Sequence, residues 1–221
     1  MVTSKKVKRF VIYLLGLFFL SLGISFSIQA GLGVSPVSSL AYALTLTTGI
    51  SVGMTTVAAN IFYFLIQVIL KKRFEFKQFV IQIVIAFLFG LFIDVTLLVV
   101  KVLPAPDTIV ARIAYLMISL FVVSVGLLGY FTSKLPFMPY DALTYAISER
   151  FHLKFSKAKI ASDVINVCIS GALCLIFVQS LGSIGIGTVV AACFIGKILG
   201  EMIKYFQQPL IKWVILSEQV A

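Results

Sequence analysis

Asp163, Asn166 and Ser170 stand at i, i+3 and i+7 inside an apolar stretch, which puts a carboxylate, an amide and a hydroxyl on one face of a helix. An ionisable side chain inside a membrane span is costly and ordinarily faces a partner or a water-filled cavity, so this face suits the holding or passage of a polar solute. Asn60, Tyr63 and Gln67 repeat the spacing earlier in the chain. Two matched stripes could line one pathway, or they could hydrogen-bond helices to one another; the residue types suit both.

Other charged groups near apolar sequence are few. Lys197 lies well inside the last long apolar run, with Glu201 one turn on; either Glu201 or Asp163 could neutralise it. Asp94 falls toward the far end of the third run. Gly196 and Gly200 form a GxxxG, which permits close helix packing but recurs by chance in apolar sequence. The glycines of GSIGIGT, at 182, 185 and 187, lack the preceding strand and following GK[ST] of a phosphate loop. No residue pattern points to an enzyme. The single histidine, His152, sits in a basic segment without a cysteine or acidic cluster at metal spacing, and no serine has a histidine to activate it. No cofactor or metal is expected. Cys168, Cys174 and Cys193 all fall within apolar runs, where they serve as small apolar residues rather than a disulfide set.

The elements that must position these groups follow from composition. Of 221 residues 61% are hydrophobic and 12% charged, with 20 phenylalanines and a mean hydropathy of +1.12. A soluble domain does not read this way. Apolar runs of roughly bilayer length cover about 10–30, 52–70, 78–100, 109–132, 160–180 and 184–206. The expected architecture is an all-α, polytopic membrane protein of about six transmembrane helices. The opening MVTSKKVKRF resembles the basic start of a cleavable signal, but the apolar run behind it exceeds the usual core of 7 to 15 residues. A formal charge of +10 would suggest nucleic acid in a soluble chain; here the basic residues cluster between the apolar runs, so no nucleic-acid partner is expected and the bilayer is.

The chain also repeats itself. SPVSSLAYAL at 35–44 returns as MPYDALTYAI at 138–147, with Pro36 on Pro139, Leu40 on Leu143, Tyr42 on Tyr145 and Ala43 on Ala146. The same offset lays Phe18, Ser21 and Gly23 on Phe121, Ser124 and Gly126, and the stripe of Asn60, Tyr63 and Gln67 on that of Asp163, Asn166 and Ser170. A shift of three residues then brings Gly90 onto Gly196. One membrane domain is expected, built of a repeat at 1–103 and another at 104–221, each with three spans. An odd number of crossings makes the second repeat inverted. The basic clusters agree: Lys5, Lys6, Lys8 and Arg9; Lys71, Lys72, Arg73 and Lys77; Lys134, Arg150, Lys154, Lys157 and Lys159; and Lys204 and Lys212 all fall on one side when both termini are cytoplasmic.

Each proline-led phrase is too short to span. A helix from Pro36 to about Thr47, with Ser35 as a cap and Gly49 as a stop, covers about 18 Å, half a bilayer. It could re-enter the membrane and aim its N-terminus at the midplane, as half-helices of transporters do, or lie on the interface. Asp141, Glu149 and Arg150 in the second copy suit the interface; the charge-free first copy suits either. Ser35, Pro36, Pro139 and Asp141 therefore join the candidate pathway residues.

With LGVSPVSSLAYAL, PFMPYDALTYAI and GIGTVVAACFIG in place, the chain resembles the YczE/YitT-type family of bacterial integral membrane proteins from about residue 10 to residue 206. Members commonly carry Pro-x-Asp, kept here as Pro139, Tyr140 and Asp141 but replaced in the first copy by Pro36, Val37 and Ser38. The resemblance implies a multi-pass protein of the bacterial cytoplasmic membrane with no settled activity. The function expected is that of a small secondary transporter or permease for a small solute, with its site between the repeats. The alternatives are a substrate-binding subunit of an energy-coupling uptake system and a non-transporting accessory protein. The small size also suits a homodimer.

Overall fold

The computed structural model describes residues 2–216, with side chains from Lys5 to Trp213; residue 1 and residues 217–221, the ends of both expected repeats, lie outside the described residues. The described chain is all-helical. Its helices are α1 (Val2–Ala30), α2 (Pro36–Thr48), α3 (Val52–Lys71), α4 (Phe76–Lys101), α5 (Ile109–Thr132), α6 (Pro139–Arg150), α7 (Phe155–Leu173), α8 (Ile186–Met202) and α9 (Gln208–Leu216). A π-helical turn over Cys174–Val178 extends α7, and another over Ile203–Gln207 joins α8 to α9.

Six helical stretches are long and apolar enough to cross a membrane: Lys5–Ala30, Val52–Lys71, Phe76–Lys101, Ile109–Thr132, Phe155–Val178 and Ile186–Trp213. Their outer faces carry the apolar surface that only lipid accommodates in such quantity. On α4, for example, Val84, Phe87, Leu91, Val95 and Leu98 are all exposed at helical spacing. The chain is thus built as a multi-pass membrane protein.

At the centre, α1 packs along α5 in the most extensive helix pair. Glycine makes this possible: a Cβ on Gly16 would lie 2.5 Å from the Tyr130 backbone nitrogen, and one on Gly126 would lie 2.5 Å from that of Leu20. Around this pair, α4 packs on α1 and α8 on α5, while α2 packs on α7 and α6 on α3, so each short helix leans on a long helix from the other half of the chain.

Both short helices are largely buried toward their starts. In α2, Pro36 and residues 38–41 are buried, whereas Gly49, which closes the helix at φ +74°, is exposed. In α6, Pro139 to Thr144 are buried and Glu149 and Arg150 are exposed. Ser35 does not cap α2 as expected; its hydroxyl pairs at 3.1 Å with that of Ser38. The chain leading into each short helix is tied down. Before α2, the Gly187 amide donates to Leu32 O at 2.7 Å and the Val34 amide to Ser183 O at 3.0 Å. Before α6, Arg9 donates from Nε to Ser133 O and from a terminal guanidinium nitrogen to Lys134 O, both at 2.7 Å, while the Tyr13 hydroxyl donates to Pro136 O at 3.0 Å. Arg9 thereby satisfies carbonyls left over at the end of α5.

One boundary departs from expectation. The fifth span begins at Phe155 rather than near 160, so Lys157 and Lys159 are helical and not part of the preceding connection. The Lys159 side chain lies only 28% exposed, which takes it out of the solvated loop cluster.

Candidate functional site

A cavity of about 340 Å³ lies where α1 to α8 converge. Leu20, Ile24, Phe89, Ile93, Val123 and Leu199 give it an apolar wall. Its polar groups gather on α3, α6 and α7 and at the start of α2.

Lys159 is the hinge of the charged part. Its ammonium stands 3.5 Å from Asp141 Oδ1 and 3.5 Å from Asp163 Oδ1, so one cation bridges two carboxylates from different helices. It also lies 4.2 Å from the centroid of the Tyr140 ring, a cation–π distance. Local sequence explains the placement. Lys159 and Asp163 are one turn apart on α7, and Asp141 sits in the first turn of α6, where the helix dipole favours a negative charge. The Tyr140 hydroxyl donates to Asp163 Oδ1, and the Tyr130 hydroxyl, which accepts the Met138 amide at 2.7 Å, lies beside Asp141. Asp141 is buried and Lys159 and Asp163 are partly so, and such a group is held by its partners, because a charge left alone away from water is penalised.

Beside this cluster runs a neutral chain of hydrogen bonds. Tyr63 on α3 donates through its hydroxyl to Asn166 Oδ1 on α7 at 2.7 Å, and Asn166 Nδ2 donates to Pro36 O at 2.6 Å. The Tyr63 and Tyr140 rings meet edge to face with centroids 5.0 Å apart, linking the chain to the ion pairs. Asn60, one turn before Tyr63, is 6% exposed and lines the cavity. Its Nδ2 donates to Thr56 O at 2.9 Å, while its Oδ1 has no hydrogen-bond partner among the described residues. A buried acceptor in that state costs free energy until something donates to it.

The residues singled out from sequence divide in two. Ser35, Pro36, Asn60, Tyr63, Asp141 and Asp163 line the cavity. Gln67, Pro139, Asn166 and Ser170 do not: Gln67 accepts from Gln82 Nε2 at 3.4 Å, tying α3 to α4; Ser170 donates to Ser39 Oγ at 2.9 Å, tying α7 to α2; and Pro139 is packed. Lys197 and Glu201 do not form the expected pair. Glu201 takes Lys204 at 2.5 Å and Asp163 takes Lys159, leaving the exposed Lys197 ammonium 5.3 Å from the Phe194 ring. The π-helical turn begins only at Ile203, so Lys197 and Glu201 keep ordinary helical spacing; Lys204 reaches the carboxylate from the other side. Lys159 and Tyr140 join the site from outside the sequence-based set. The Lys159/Asp163 spacing and the tyrosine inside MPYD are the signals that point to them, and both are masked when every nearby lysine is taken for a loop charge. Asp94 serves the fold rather than the cavity. Its Oδ2 accepts from Ser51 Oγ at 2.8 Å and its Oδ1 from the Gly53 amide at 2.7 Å, capping α3 from α4.

Comparison with known proteins places the chain in sequence space. A model of a family of unknown function, DUF6198, matches residues 7–204. The chain belongs to the DUF6198 family. Among its bacterial relatives is the uncharacterized protein YyaS of Bacillus subtilis, 30% identical over 211 residues that span 95% of this chain and 97% of that protein. An uncharacterized protein of Haemophilus influenzae is 28% identical over 196 residues, 89% of this chain and 84% of its own length. No solved structure matches. The matches name no YczE/YitT family. The DUF6198 model and both relatives cover nearly the whole membrane-spanning region, so family membership extends to the cavity and its helices and not to one terminal segment.

Proposed function

We propose that this DUF6198 protein is a small secondary transporter or permease whose solute site is the central cavity. The observation that carries the reading is the convergence on one cavity of two short helix starts, at Pro36 and at Met138 to Asp141, with the ion pairs of Lys159. Half-helices that begin at a polar site between two bundles are the usual construction of secondary transporter sites. The inverted repeat is part of this proposal. It is supported by the exchange of short helices, α2 onto α7 and α6 onto α3, and by the hydrogen bond between Tyr63 and Asn166, which the repeat makes equivalent positions. Burial of each short helix near its start favours the re-entrant placement over the interfacial one. The kinship with YczE/YitT-type proteins, the cytoplasmic side of both termini and the non-enzymatic, cofactor-free character belong to the same reading.

A non-transporting accessory role draws on a different observation, the use of Gln67, Gln82, Ser39 and Ser170 purely between helices. Solute-driven flux in proteoliposomes, screened over amino acids, vitamins, nucleobases, organic anions and organic cations, separates the two. The transporter reading expects saturable flux of at least one class, lost in Asp163→Asn. Folded protein that moves none of them would overturn it in favour of the accessory role.

A further inference from the structure

The cavity polar groups are unbalanced in a way that specifies a ligand. Two carboxylates, Asp141 and Asp163, share the single ammonium of Lys159, and no other lysine or arginine among the described residues lines the cavity, so the lining carries one surplus negative charge. Asn60 adds an acceptor, Oδ1, which is buried and without a donor among those residues. A ligand that answers both features carries one positive charge and at least one N–H. The remainder of the wall is apolar, which calls for an apolar body, and about 340 Å³ limits that body to a small molecule.

The route of entry is also marked. Both α7 and α8 line the cavity, yet the two form no packed interface with one another. Ile160 on α7, at 64% exposure, and Ala192 and Gly196 on α8 are at once cavity-lining and accessible from outside. Both helices belong to stretches long and apolar enough to cross a membrane, and the exposed Ile160 beside the opening is apolar, which suits an approach from the hydrocarbon.

The geometry points to an amphiphilic monoammonium compound as the ligand, reaching the cavity sideways from the bilayer between α7 and α8 and placing its ammonium against Asp163 and Asn60. Lys159 then acts as a tethered competitor, holding the carboxylates when the ligand is absent. The inference rests on the transporter reading only for the location of the site, since binding can be measured without flux.

The experiment is equilibrium binding to the full-length protein in nanodiscs with three probes of one shape: 4-phenylbutylammonium, neutral 4-phenylbutanol and anionic 4-phenylbutyrate. The expected result is saturable binding of the ammonium at least about tenfold tighter than of the alcohol, as a charge-assisted contact requires, and no saturable binding of the anion. Asp163→Asn should weaken the ammonium about tenfold or more and Asn60→Ala by a smaller factor, whereas Lys159→Gln should tighten it by removing the competitor. Nanodiscs with and without phosphatidylethanolamine separate the sources of the ammonium. Equal affinity in both assigns a free amine, and displacement by the lipid assigns its headgroup to the same pocket. Equal binding of ammonium and alcohol by the wild-type protein, or unchanged affinity in both Asp163→Asn and Lys159→Gln, would overturn the inference whether or not any one variant folds. Binding without flux would retain it and remove the transporter reading. Flux of an anion without ammonium binding would do the reverse.

Discussion

The pair α3–α4 and the pair α7–α8 each follow one of the short helices and are packed in opposite ways. In the first pair a Cβ on Gly53 would lie 2.2 Å from Gly90 O, so the two backbones touch, and Asp94 reaches across to cap the start of α3 through Ser51 and Gly53. Gln67 and Gln82 close the other end. In the second pair a Cβ added to Gly196 or Gly200 would meet nothing within 4 Å, and the helices stand apart over the cavity. The sequence difference behind this is small. The alignment that lays Gly90 on Gly196 lays Asp94 on Gly200, so the second half lacks the carboxylate that clamps the first. A rigid pair beside an unclamped one teaches that similar glycine-bearing helices can serve as wall or as opening, according to whether one polar cap joins them.

The sharpest way to break this comparison is the same substitution on both sides. Gly53→Ala forces a methyl into Gly90 O and Asp94, and should cost about 3 kcal/mol when unfolding is followed in mixed micelles by denaturing detergent. If the protein tolerates it without loss, the α3–α4 contact is not the clamp described. Next in size is Asp94→Ala, which leaves the buried Gly53 amide without its acceptor and removes the bond from the exposed Ser51 hydroxyl. A loss of about 2 kcal/mol is expected in the same assay, and Asp94→Asn should recover part of it. Tyr63→Phe removes one neutral hydrogen bond to Asn166 across the halves and should cost about 1 kcal/mol, measured against Asn166→Ala in a double-mutant cycle. A coupling near zero in that cycle would show that the bond contributes nothing. The smallest effect belongs to Gly196→Ala, which meets open space and should change stability by no more than about 0.5 kcal/mol. A large loss there would mean that α8 is covered after all.

Much of the architecture was legible because membrane helices announce themselves locally. About twenty apolar residues suffice to identify a span, and Pro36 and Gly49 mark a short helix by backbone geometry that needs no distant partner. The site was legible only in part. Asn60, Tyr63 and Asp163 were identifiable because polar groups in apolar runs are expensive wherever they fall. Their neighbours Gln67, Asn166 and Ser170 carry the same signal yet face other helices, since a polar stripe two turns long can point its two ends at different partners.

Sequence by itself therefore determined the spans, the short helices and the polar inventory, because each depends on periodicity, length and residue chemistry within one stretch of chain. Tertiary structure alone decided who pairs with whom. Lys159, a loop charge by sequence, became the bridge between Asp141 and Asp163, and Lys197, set beside Glu201, was left over an aromatic ring. The physical reason is that a side chain several bonds long meets its partner at a distance of a few Å set by helix crossings, and crossings are fixed by contacts such as Gly16 on Tyr130 and Gly53 on Gly90, between residues far apart in the chain.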